Sequence, residues 1–116
     1  MPERSWSGAE VRFIDYDQTI RNIRKAVAAA KAAHPEIVRV FLFGSLAQGT
    51  WTADSDADLI VVVRGRLTDF SSRSPYHILP EGIATDSLVY SESEFEEQSQ
   101  DPSGFLAGNL LYAVEL

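Results

Sequence analysis

The sequence predicts an α/β (α+β) fold, a small mixed sheet of about four strands backed by helices, and three observations carry that prediction. Apolar residues between Asp15 and Ala33 recur at helical spacing. Two short runs, IVRVFLF and LIVVV, are rich in β-branched and aromatic residues, as buried strands are. A third apolar segment, IATDSLVY, leads directly into serines followed three residues later by glutamates, the spacing that opens a helix.

Taken in order, Tyr16, Ile20, Ile23, Val27 and Ala30 draw one stripe along the first helix, while Arg21, Arg24, Lys25 and Lys31 occupy its other face. His34-Pro35 ends it, because proline pushes the residue before it out of the helical region and cannot itself continue the hydrogen-bond ladder. Ile37 to Phe43 is the first strand and stops at Gly44; Leu59 to Val63 is the second, and Ile83 to Tyr90 the third. Ser91 with Glu94, and Ser93 with Glu96, offer capping boxes for a short helix after it. Between these, Arg64 to Gly82 is rich in serine and proline and reads as loop with one short helical turn. The ending is ambiguous between a helix through Phe105, Leu106, Asn109 and Leu110 and a short strand within LLYAVEL.

At 116 residues, the chain has room for one core, expected to span 1–116 with an N-terminal arm over 1–12 that includes Trp6. Ten Lys and Arg against 17 Asp and Glu give a formal charge of -7, which opposes coating a nucleic-acid backbone. No Lys or Arg follows Arg73, so the last third is acidic, a solvated surface or a docking face for a basic partner. With no cysteine, disulfides, thiolate metal sites and thiol nucleophiles are excluded, and any metal would be held by oxygen. Neither a signal-peptide pattern nor a membrane-spanning apolar run is present, so no membrane association is expected and a cytoplasmic address is the default.

The segment FGSLAQGTWTADSDADLIVVV carries the chemistry. Residues two apart on a strand share a face, so Asp56 and Asp58 project together at the start of the second strand and repel one another unless a cation lies between them. Mg2+ suits such a pair, being held by one or two carboxylates plus substrate phosphates rather than by a full protein cage. Gly44-Ser45, where the first strand ends, brings backbone amides and a hydroxyl close to a ligand, as a phosphate site requires. Trp51 lies in the intervening loop, to stack on a base or to pack, and His34 and His77 are remote from the motif.

The strand, Gly-Ser, about ten residues and then Asp-x-Asp inside a second strand resembles the minimal nucleotidyltransferases of the DNA polymerase beta superfamily. The similarity covers most of Val38 to Leu116, with IATDSLVYSESEFEEQ matching the family's later strand and acidic helix. What the resemblance implies is that Gly44 and Ser45 hold a nucleoside triphosphate, that Asp56, Asp58 and Asp86 are catalytic and ligate metal, two Mg2+ ions with Mn2+ as the substitute, and that Asp86 also activates the acceptor hydroxyl. The reaction implied moves a nucleoside monophosphate, AMP from ATP, onto a hydroxyl. Some minimal members of the family are antitoxins that modify a small helical toxin of the HEPN class, which makes such a toxin the partner implied; a homodimer is the second association considered.

One departure stands out. Many relatives carry arginine just after Gly-Ser, where this chain has Leu46 and Gln48, with Arg64, Arg66 and Arg73 as the candidates to replace it. That departure keeps a second reading open, a catalytically silent nucleotide- or partner-binding module of the same fold. A metal-dependent glycosyltransferase, which also uses Asp-x-Asp, is a third, disfavoured by the short chain and by the Gly-Ser spacing.

Overall fold

The computed structural model describes residues 16–51 and 55–116; the N-terminal arm expected over 1–12, with Trp6, lies outside them. The first helix, α1, spans Tyr16–Ala33 as the apolar stripe requires, with Ile23 and Val27 buried and Tyr16, Ile20 and Ala30 packed at the margins of the same core. Its end is closed by the His34 amide donating to the Ala30 carbonyl at 2.8 Å, immediately before Pro35. Strand β1 covers Ile37–Phe43, the short helix α2 covers Ser45–Gln48, and β2 runs Ala57–Val63.

Residues 64–84 cross over to β3, Thr85–Ser91, through α3, Phe70–Arg73, and a 3₁₀ turn, Ser74–Tyr76. Helix α4, Glu92–Ser99, follows at once, capped as expected: the Ser91 hydroxyl accepts from the Glu94 amide and Glu94 accepts from the Ser91 amide. The Ser93–Glu96 spacing falls inside this helix and caps nothing. The ending resolves into both alternatives, with α5 over Phe105–Leu110 and an edge strand β4 at Val114–Glu115.

The four strands form one sheet in the order β3-β2-β1-β4, with β1 antiparallel to both β2 and β4 and β2 parallel to β3. Helix α1 covers one face over Val40, Leu42, Leu59, Val61 and Val63. Helices α4 and α5 cover the other over Phe41, Phe43, Ile60 and Val62, with Leu106 buried and Phe95 stacked on Phe41 at 5.6 Å. From Leu59 onward strand β2 is thus buried on both sides, which explains why that run is continuously apolar instead of alternating. A bulge between Ile37 and Arg39 switches which residues of β1 face which layer. It leaves the Arg39 guanidinium over the Phe41 ring and paired to Glu115 at 2.8 Å, fastening β4 to β1.

Candidate active site

The ends of three strands meet where the chain turns from β1 into α2 and enters β2 and β3. The antiparallel register sets Phe43 opposite Asp58, and the parallel register sets Asp58 beside Asp86. Because Ala57 and Leu59 point into the α1 layer, Asp58 points to the opposite face, and Asp86 shares that face with Tyr90. Asp56 lies just before β2 and is exposed, as is Asp86, while Asp58 is half-buried. The sheet therefore sets Asp58 beside Asp86, and Asp56, just outside the sheet, is near enough for its charge to act on Asp58.

Their electrostatics follow from that placement. Burial pushes the Asp58 carboxyl above its ordinary range, and the neighbouring charges of Asp86 and Asp56 push it further in the same direction. Among the described residues no three His, Asp or Glu side chains are gathered closely enough to bind an ion by themselves. A divalent ion held there would have to draw its remaining ligands from substrate phosphates and water. The donors are all oxygen, in keeping with a hard divalent ion.

Gly44 adopts φ 78° and ψ -156°, a combination essentially confined to glycine. A Cβ there would also overlap Asp58 Oδ2, with Asp58 Cγ only 3.3 Å away. The glycine thus does two things: it permits the turn and gives the Asp58 carboxylate its place. The Ser45 and Leu46 amides open α2 ahead of its first helical hydrogen bonds, which the Ala47 and Gln48 amides make to the Gly44 carbonyl at 3.1 Å. Leu46 is fully buried and pins this turn to the core. From the other side, the Tyr16 hydroxyl donates to the Leu46 carbonyl at 2.9 Å and its ring stacks on Trp51, centroids 5.3 Å apart. Trp51 is accordingly engaged in packing, the second of the two roles open to it from sequence.

The arginine candidates separate from the site. Arg64 and Arg66 follow the far end of β2, about 20 Å along the strand from its first residue. Arg73 is held by Glu94 at 2.9 Å and by the Val89 carbonyl at 2.8 Å. That bidentate pair ties the crossover to α4 and engages the Arg73 guanidinium there. His34 sits edge-on to Tyr76 at 5.3 Å, by the start of β1 and so at the opposite end of the sheet. What sequence reasoning did not find is the contribution of Tyr16 and Leu46 to fixing the turn; the apolar stripe marked Tyr16 only as core.

The nucleotidyltransferase domain family matches residues 20–105, which include Gly44, Ser45 and all three aspartates, and the chain belongs to that family. The fold is similar to the crystal structure of a Sulfolobus solfataricus protein assigned as a nucleotidyltransferase, with TM-score 0.57, 20% identity, and coverage of 80% of this chain and 82% of that one. No curated protein matches the chain significantly. Among the described residues, no helix is long and apolar enough to cross a membrane.

Proposed function

We infer that the protein transfers a nucleoside monophosphate from a nucleoside triphosphate, ATP in the first instance, to a hydroxyl with release of pyrophosphate. The observation that carries this reading is that the Asp58 carboxylate fills the space a side chain at Gly44 would need, so that the proposed metal ligand and the proposed phosphate turn are neighbours.

In this reading Asp56 and Asp58, with Asp86, hold two Mg2+ ions, or Mn2+ in their place. Ions held by these carboxylates would supply charge neutralisation at the attacking and leaving oxygens of an in-line displacement. The Ser45 and Leu46 amides and the Ser45 hydroxyl orient the triphosphate, held rigid by the buried Leu46 side chain and the Tyr16 hydrogen bond. Asp86, on the outer strand β3 and exposed, accepts the proton of an incoming hydroxyl. The resemblance supplies the acceptor class we carry forward, a hydroxyl on a partner protein such as a HEPN-type helical toxin. The catalytically silent module remains the competing reading, motivated by the absence of a cationic side chain in the Leu46–Gln48 turn.

Calorimetric titration with Mg2+-ATP tests the site. The wild type is expected to bind, Ser45→Ala to bind more weakly, and Asp56→Ala/Asp58→Ala to lose the Mg2+ dependence. Equal, Mg2+-independent affinity in all three would overturn the assignment, and binding without any pyrophosphate release in lysate would favour the silent module.

A further inference from the structure

Beside the Asp58–Asp86 pair, the sheet face covered by α4 and α5 ends in an aromatic step. Phe43, the last residue of β1, is 8% exposed, and its ring meets that of Phe105 edge-on, with centroids 5.8 Å apart and planes at 90°. Phe105 opens α5 and is 54% exposed. One ring is therefore buried as a support while the other leaves much of its surface open to a flat partner.

The place of this step relative to the site narrows what that is. Phe43 immediately precedes Gly44 and is the cross-strand partner of Asp58. Directly opposed side chains on one face of an antiparallel pair have Cβ atoms about 5 Å apart. The Phe105 ring consequently lies one aromatic ring beyond the cross-strand partner of Asp58, on the β1 side. Asp86, assigned to the acceptor hydroxyl, is on β3, at the other side of β2. A triphosphate seated at Gly44–Ser45 with its α-phosphate toward Asp58 thus has its nucleoside end free to turn toward Phe105 and away from the acceptor.

The geometry points to Phe105 as the surface on which the nucleobase of the triphosphate stacks, with Phe43 as its support. This rests on the function inferred above and adds to it the residue that engages the base. Stacking on a single ring tolerates every base, since each has a π-face, so the contact favours nucleotides over bare polyphosphate without selecting adenine.

The test compares equilibrium binding of Mg2+-ATP and Mg2+-tripolyphosphate to purified wild type, Phe105→Ala, Phe105→Trp and, as a surface control, Leu111→Ala, a residue 76% exposed. Phe105→Ala is expected to weaken ATP about five- to a hundredfold, the range that loss of one base-stacking ring spans, and to leave tripolyphosphate unchanged. Phe105→Trp should restore ATP affinity, and Leu111→Ala should behave as wild type. Equal affinity of the wild type for ATP and tripolyphosphate, or a Phe105→Ala loss shared by both ligands, would overturn the stacking role while leaving the phosphate and metal assignments standing. A wild type that binds neither ligand would overturn those assignments and the stacking role with them.

Discussion

Replacing Gly44 by alanine isolates the contact on which the site reading rests. At φ 78° and ψ -156° an alanine pays about 1–3 kcal/mol in backbone strain. Its Cβ would also overlap Asp58 Oδ2, and because Asp58 Cγ is 3.3 Å away the whole carboxyl must rotate, not one oxygen alone. Turning that short side chain off its rotamer adds about 1 kcal/mol. The expected loss is therefore about 2–4 kcal/mol, read from urea unfolding in Mg2+-free buffer.

Two comparisons separate the contributions. Gly49 also has positive φ, 81°, but nothing lies within 4 Å of a Cβ placed there, so Gly49→Ala should cost only the left-handed strain of about 1 kcal/mol. In an Asp58→Ala background the carboxylate is gone, and Gly44→Ala should lose about 1 kcal/mol of its cost. If Gly44→Ala costs the same in both backgrounds to within about 0.3 kcal/mol, the Gly44–Asp58 packing is refuted.

The other predictions concern charge. Arg73 holds the Glu94 carboxyl down to about 2, from an ordinary 4.5, so this pair stabilises the fold above about pH 4.5 and that contribution is lost as pH falls toward 2. Glu94→Gln keeps a capping side chain but not the ion pair; discounted for its one-third exposure, the loss expected at pH 7 is about 1–2 kcal/mol, closing with the wild type near pH 2 in urea unfolding. A loss unchanged at pH 2 would show that the pair is not its source. Asp58 shifts the opposite way: its folded-state pKa lies above the ordinary 3.8, so the folded protein takes up a proton first and is penalised at higher pH. Asp58→Asn should accordingly be more stable than wild type at pH 7 without Mg2+, with the advantage shrinking as pH falls through the Asp58 pKa. A destabilised Asp58→Asn at pH 7 contradicts the repulsion of Asp58 by Asp86 and Asp56.

Much of the fold was legible because local signals agreed with tertiary burial. The stripe from Tyr16 to Ala30 and the stop at His34-Pro35 delimit α1, and IVRVFLF delimits β1 residue for residue. Strand β2 proved longer than its apolar run, starting at Ala57, because a carboxylate inside a strand is indistinguishable locally from one in a turn; only pairing with Phe43 and Asp86 decides it. The crossover's serines and prolines signal mostly loop, with one short helical turn. Its helical turns are held by the Ser72–Asp69 side-chain bonds and by Arg73 reaching Glu94, 21 residues away, which no periodicity reports. At the site, the Gly-Ser and Asp-x-Asp spacing announced the chemistry, but the contact between Gly44 and Asp58 depends on strand register, and the aromatic step of Phe43 and Phe105 on α5 folding back over β1.

The central claim is transfer of the nucleotidyl group, and the position of the label in ATP tests it. Purified protein is added to cell lysate with Mg2+ and ATP labelled in parallel at the α- or the γ-phosphate, and acid-stable label on macromolecular or small acceptors is compared with that from Asp56→Ala/Asp58→Ala. The account predicts α-label on an acceptor with wild type only, with the γ-label leaving as pyrophosphate. Acceptor labelling from the γ-phosphate, or α-labelling equal in the double variant, would contradict it.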